Sequence, residues 1–340
     1  MFQRTPILLL LLHGSLVAQT KPPAPAPTTW MDLAVGTDVS YSIEDENRLA
    51  DSGGGSGGGG SGKHAVRIVV LGAEAGGALR IAVIDEQLPK ESFETSIVQA
   101  EIATLDPATG ALQRTPEAAS GPLAAFWSPQ VVFPFPALST AEWKAKKPIA
   151  RAGWAPVAGE ARELPLRIGF ANRKDGKKQV PMLLIELDSK EPVTVQLVGI
   201  AGMVGMAEGR MPKLGASGVE PVDAKVVALR RECVVDVAKG RITELHTTGT
   251  VTAADGKLKI ACSNIQRETQ RRLVPAKDLP LVVEVVEELC AIVGGKEAKD
   301  ARRQRAEALT AKAKQAGFEA VCGRVLDSLT RSGLPPGLGR

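Results

Sequence analysis

Histidine and cysteine are scarce in this chain, with three and four in 340 residues. His13 lies in the apolar N-terminal stretch, which leaves His64 and His246 for the folded part. A histidine-rich metal centre is therefore excluded. The absence of Cys-x-x-Cys removes support for a thioredoxin-like redox centre. Aromatics are sparse too: seven Phe, four Trp and one Tyr. Carbohydrate grooves and base-stacking platforms draw on more aromatic surface than that. Neither charge sign dominates, with 42 Lys and Arg against 38 Asp and Glu. Such a mixed surface does not concentrate nucleic acid, and no nucleic-acid partner is expected. No G-x-S-x-G nucleophile motif is present. The GAEAGG run at 72–77 sits between two strand-like runs and lacks a following Lys-Ser/Thr, so it is no phosphate loop. No cofactor, metal site or catalytic residue is expected.

What is present begins with MFQRTPILLLLLHGSLVA. Arg4 precedes a short apolar core, Ile7 to Leu12, and Ala18 closes a small-residue stretch. That is the layout of a signal peptide over 1–18, with cleavage expected before Gln19. The run is too short to span a bilayer, which takes roughly 20 apolar residues. No transmembrane segment is expected after removal of the signal, and the location expected is periplasmic or extracellular. Residues 19–29 (QTKPPAPAPTT) form a Pro/Ala-rich spacer of extended, polyproline type.

From residue 30 to 277 the pattern is of strands. Val39, Tyr41 and Ile43 alternate with Ser40 and Ser42. Val66, Ile68 and Val70 repeat the pattern, as do Leu79, Ile81 and Val83, and a further strand covers Ser96 to Leu105. Between the first two lies ADSGGGSGGGGSG at 50–62, read as an inflated hairpin loop, with an interdomain linker as the alternative. Seven prolines between Pro116 and Pro156 deny long elements to that region. It holds Trp127, Trp143 and Trp154, which either close one end of the core or line a cleft. Strands resume with Leu164, Leu166 and Ile168. Residues 226–264 read as a three-stranded antiparallel meander, with Leu229, Cys233, Val235 and Val237 on one face and Arg230, Glu232 and Asp236 on the other. The 30–110 and 160–264 regions are either two subdomains or two halves of one sheet. Residues 278–332 turn helical, with Leu281, Val285, Leu289 and Ile292 at helical spacing after a capping Asp278; a strand over 281–286 is the alternative. Residues 333–340 are a tail. The fold expected is mainly β (α+β): a curved antiparallel sheet, half-barrel or open barrel, with C-terminal helices.

The segments WMDLAVGTDVSYSIED and VVDVAKGRITELHTTGTVTA resemble parts of uncharacterised secreted β-rich proteins of planctomycete-like bacteria. The second is similar to a hairpin of lipoprotein-carrier-like sheets. The resemblance implies an extracytoplasmic β fold and brings no activity with it.

Four cysteines in an exported chain permit disulfides. Cys233 and Cys262 fall on strands separated by a third, about 9 to 10 Å apart at ~4.8 Å per strand, beyond the roughly 7 Å limit for a bridge. Cys290 and Cys322 lie on neighbouring helical segments and are expected to be bridged. His246 reads as a surface strand residue, and the acidic runs Glu44–Glu46 and Glu287–Glu288 give no catalytic signal. The function expected is an exported, non-enzymatic binding or scaffold protein with a partner at the envelope or outside the cell. The alternatives are an extracytoplasmic hydrolase using an Asp/Glu pair and a carrier of a lipid or other hydrophobic ligand.

Overall fold

The computed structural model describes residues 33–50, 59–87, 97–106, 112–114, 138–155, 162–197, 214–215, 218–219, 222–253 and 259–331. Its strands, in chain order, are β1 (Thr37–Ala50), β2 (Gly59–Ala73), β3 (Leu79–Gln87), β4 (Ile97–Leu105), β5 (Leu112–Arg114), β6 (Ile149–Ala155), β7 (Arg162–Asp175), β8 (Lys178–Leu187), β9 (Val193–Leu197), β10 (Leu214–Gly215), β11 (Gly218–Val219), β12 (Val222–Asp236), β13 (Arg241–Ala253) and β14 (Lys259–Leu273). Twelve of them form one antiparallel sheet in the order β5-β4-β3-β2-β1-β14-β13-β12-β8-β7-β6, with β9 also paired to β12. Sheet order runs from β5 to β6 without those two pairing, so the curved sheet is open. Two meanders are joined along one seam, where β1 pairs with β14 from Thr37 opposite Leu273 to Ala50 opposite Lys259. The two strand-rich regions of the sequence are thus halves of a single sheet.

Alternation places the core. On the inner face, Val39, Tyr41 and Ile43 of β1 join Val66, Ile68 and Val70 of β2 and Leu79, Ile81 and Val83 of β3. Across the seam the same cluster takes Ile260 and Cys262, Leu245 and Val251, Leu229, Cys233 and Val235, and then Leu183, Ile185 and Ile168. Two register shifts between β12 and β13, with Val227 extra on β12 and Thr243 extra on β13, return apolar residues to this face.

The outer face of β2, β3 and β4 is covered by helices. Helix α1 (Thr140–Ala145) is a single short element beside the inner core, opened by a capping box between Ser139 and Glu142. The covering layer is α2 (Leu279–Gly294), α3 (Lys299–Ala316) and α4 (Glu319–Arg331). The 281–286 run is helical, with Pro280 in the first turn, where a missing N–H costs nothing. Asp278 occupies the N-cap position but its side chain makes no capping bond, so the expected carboxylate cap is replaced by proline and packing. Val282, Val285, Val286 and Leu289 of α2 pack with Val321 and Val325 of α4 onto Val69, Leu71, Ala82 and Ile84 of the sheet. Gly317 ends α3 with φ +80, so the C-terminal segment forms a separate helix. Among the described residues no helix is long and apolar enough to cross a membrane.

Candidate binding site on the inner face

At one level of the curved sheet the inner register turns polar. Asp45 follows Ile43 at the same two-residue step on β1, His64 lies two residues from Val66 on β2, and Asp85 follows Val83 on β3. Across the seam, Asp45 pairs with Asn264, Asn264 with Thr247, and Thr247 with Arg231. Four adjacent strands therefore place one polar residue each in a single row. Ile43, one step away, has His64 on one side and Gln266 on the other, and Asp85 lies opposite Gln99 of β4. These groups are not at the surface: Asp85 and Thr247 are 0% exposed, Asn264 1%, Gln266 2% and Arg231 4%.

His64 is the centre of one half. Its Nε2 lies 3.2 Å from Asp45 Oδ1 and its Nδ1 3.3 Å from Asp85 Oδ1. Burial alone would push the imidazole down; the hydrogen bonds to Asp45 and Asp85, with their charges, outweigh it and lift His64 to about 9. His64 is thus an imidazolium at neutral pH, donating from both nitrogens. Burial raises Asp85 above the usual carboxylate range, and His64 offsets part of that rise. Gly62 makes room for the contact. A Cβ there would stand 2.6 Å from Asp45 Oδ1 and 2.8 Å from His64 Nε2. On the other half, burial lowers Arg231 to about 10. Nearby, Glu268 is held by Arg241 and Arg271, each at 2.9 Å.

Several of these buried groups are unsatisfied. Both side-chain polar atoms of Asn264, together with Thr247 Oγ1, Gln266 Oε1, Asp85 Oδ2 and Gln99 Oε1, find no hydrogen-bond partner among the described residues. Each such atom costs about 1–3 kcal/mol when left alone in a low-dielectric interior. Six on one face are an arrangement able to receive polar atoms from another molecule. Among the described residues no three His, Cys, Asp or Glu side chains converge as a metal site.

No family model matches the chain, and no curated protein matches it. Solved structures give weak likenesses. A structure titled for lipid–protein interactions in lipovitellin shares 11% identity and covers 87% of this chain and 35% of that one, at a TM-score of 0.33. The chain thus spans about a third of the lipovitellin chain's length. A triple mutant of the Rhodopseudomonas blastica porin shares 8% identity, covering 68% of this chain and 99% of that one, at a TM-score of 0.22. Likenesses at these scores carry no argument about function.

The residues singled out in the sequence fall elsewhere. Trp127 lies outside the described residues, as does the side chain of Trp154, whose backbone is in β6. Trp143 on α1 meets Phe170 edge-on, ring centres 5.5 Å apart, and packs against the inner core. All four cysteines are buried thiols outside any disulfide. The bridge expected between Cys290 and Cys322 is not formed. Cys322 Sγ instead donates to Ala306 O of α3 at 3.4 Å, and Cys290 packs in the apolar layer between helices and sheet. Burial pushes the Cys233 and Cys290 thiols up to about 12, which makes them inert. Cys233 and Cys262 do have β13 between them, as the meander requires.

His246 and Ser263 meet on the outer face, Nε2 to Oγ 3.5 Å. They border a groove of about 690 Å³ floored by Thr248, Thr250, Ala261 and Ser263. The pair lacks the donors an acyl-transfer site needs, because β14 is flanked on both sides and its backbone N–H groups serve the ladder. The groove's charges also cancel locally, Arg48 on Glu46 and Arg230 on Glu186 and Glu232. The acidic runs are likewise engaged. Glu44 pairs with Lys63, Glu287 with Arg80 and Glu288 with Arg305. On the inner face, Asp45 and Asp85 hold His64 between them.

Proposed function

We propose that this is an exported, non-enzymatic binding protein that holds an amphipathic ligand inside its curved sheet. The supporting observation is the row of buried, unsatisfied polar side chains, Asn264, Thr247 and Gln266, set within an otherwise aliphatic face. An aliphatic wall favours a ligand's apolar portion at about 25 cal/mol per Å² removed from water. A buried belt with unmet valences favours a polar portion in one place and orientation. Export rests on the pattern of residues 1–18. Titration of the purified protein with the fluorescent probe N-phenyl-1-naphthylamine tests the binding reading. Saturable uptake, displaced by a single-chain amphiphile, is the expected result. Absence of uptake, together with native mass spectra free of any co-purified small molecule, would overturn it.

A further inference from the structure

Resting on that reading, we infer that the polar end of the ligand is uncharged and rich in hydroxyl donors, as in a sugar or polyol head, and is seated on Asn264, Thr247, Gln266 and Asp85. The unmet valences set the chemistry. Asp85 Oδ2, Gln99 Oε1, Gln266 Oε1 and Asn264 Oδ1 can only accept, Thr247 Oγ1 and Tyr41 Oη accept or donate, and Asn264 Nδ2 and Arg241 Nε are the pure donors. A head that satisfies them brings more donors than acceptors yet has at least one acceptor. Hydroxyl groups supply both. A sulfate or phosphate head supplies acceptors alone and would face Asp45, Asp85 and Glu101, all carboxylates on this inner face. Of the cations here, His64 is held between Asp45 and Asp85, Arg241 and Arg271 are bound to Glu268, and Arg231 lies at the far end of the row from Asp85. A quaternary ammonium head suits the carboxylates but has no donor to give. Size agrees as well. From β3, which carries Asp85, to β14, which carries Asn264 and Gln266, is three strand steps, about 14 Å along the curved sheet at ~4.8 Å per step. A head with hydroxyls around a ring or two reaches that far, and a single alcohol does not.

The test compares amphiphiles with one tail and different heads. Decyl maltoside, sodium decyl sulfate and decyltrimethylammonium bromide, each below its micelle concentration, displace N-phenyl-1-naphthylamine from the full chain. Maltose alone is the tail-free control. Decyl maltoside is expected to displace the probe at least about tenfold more effectively than the other two, because a site built to hydrogen-bond hydroxyls leaves its own groups unpaired against a head lacking them. Asn264→Leu should abolish that preference, bringing displacement by decyl maltoside down to the level of decyl sulfate. Thr247→Val reduces it in the same direction and serves if the leucine variant does not fold. Probe binding with no head preference, or with sulfate favoured, overturns the inference and leaves the binding reading standing. Maltose competing as well as decyl maltoside overturns the amphiphile and assigns a free sugar. Failure of the probe to bind at all overturns both.

Discussion

His64 shows how one residue ties stability to pH. It is a buried imidazolium between Asp45 and Asp85, raised to about 9 against an ordinary 6.5. A group raised in the folded state stabilises fully below its unfolded value. Its contribution is complete below about pH 6.5 and is lost as pH rises through about 9, which removes up to about 3 kcal/mol. Urea melts between pH 6 and 10 should show this loss, and His64→Gln should flatten it. A wild-type profile level across that window would show that the carboxylates do not hold the proton. The thiols of Cys233 and Cys290, pushed to about 12, do not titrate there and leave the window clear. The site residues had a signal in the sequence. Asp45, His64, Asp85, Arg231, Thr247 and Asn264 all keep the two-residue step of their apolar neighbours. Alternation alone does not tell whether the end of a strand faces a core or water, so nothing in the sequence set them apart. The Cys290–Cys322 bridge was misread for a related reason: two helices that pack together still aim their side chains independently, one thiol toward α3 and the other into the helix–sheet layer.

Among the elements, one joint between the helical layer and the sheet centres on a buried carboxylate. Asp38, 3% exposed on β1, accepts from Arg67 Nε and Nη2 and from Arg272 Nε, each at 2.7 Å. The same arginines donate to the last carbonyls of α3, Arg67 to Gly317 O and Arg272 to Ala316 O, both at 3.0 Å. Arg67 also lies over the Phe318 ring at 3.6 Å. Burial would raise Asp38, but the two arginines outweigh it and hold the carboxyl below its usual range. Its contribution is therefore present above the unfolded value and lost as pH falls through the folded one. Asp38→Ala leaves two guanidinium groups without their carboxylate at a buried joint, and about 3 kcal/mol of stability should go with it in denaturant melts at pH 7. A loss under about 1 kcal/mol would mean that the apolar contacts, with the Arg80–Glu287 and Arg324–Glu86 pairs, dock the helices without it. The helices themselves were legible in the spacing of Leu281, Val285 and Leu289, whereas the break at Gly317 came from the structure. Their seat on the outer face of β2 to β4 was not, because an apolar stripe records that a partner exists and not which one.

At the scale of the molecule, the decisive contact is the seam between β1 and β14, whose partners are more than two hundred residues apart in the chain. The hairpin of β1 with β2 lies beside it, its last pair Arg48 opposite Gly59. Replacing residues 51–58 with two residues should leave the sheet intact and raise stability by on the order of 1 kcal/mol, since loop closure costs only the logarithm of loop length. Denaturant melts measure the gain, and loss of a single cooperative transition would instead mean that the connection is a required spacer. What the sequence determined by itself is local: which runs are strands, which face of each is apolar, where the meander turns, and that the C-terminal part is helical. Those follow from side-chain period and turn chemistry acting over a few residues. Only the tertiary structure decided that the two halves share one sheet, that β8 and β9 lie along the same edge of β12, and that the polar residues of seven strands converge on the inner face. The physical reason is that strand pairing runs through backbone groups identical in every residue, so partner choice is settled by the burial of whole faces, and that is a property of the assembled sheet.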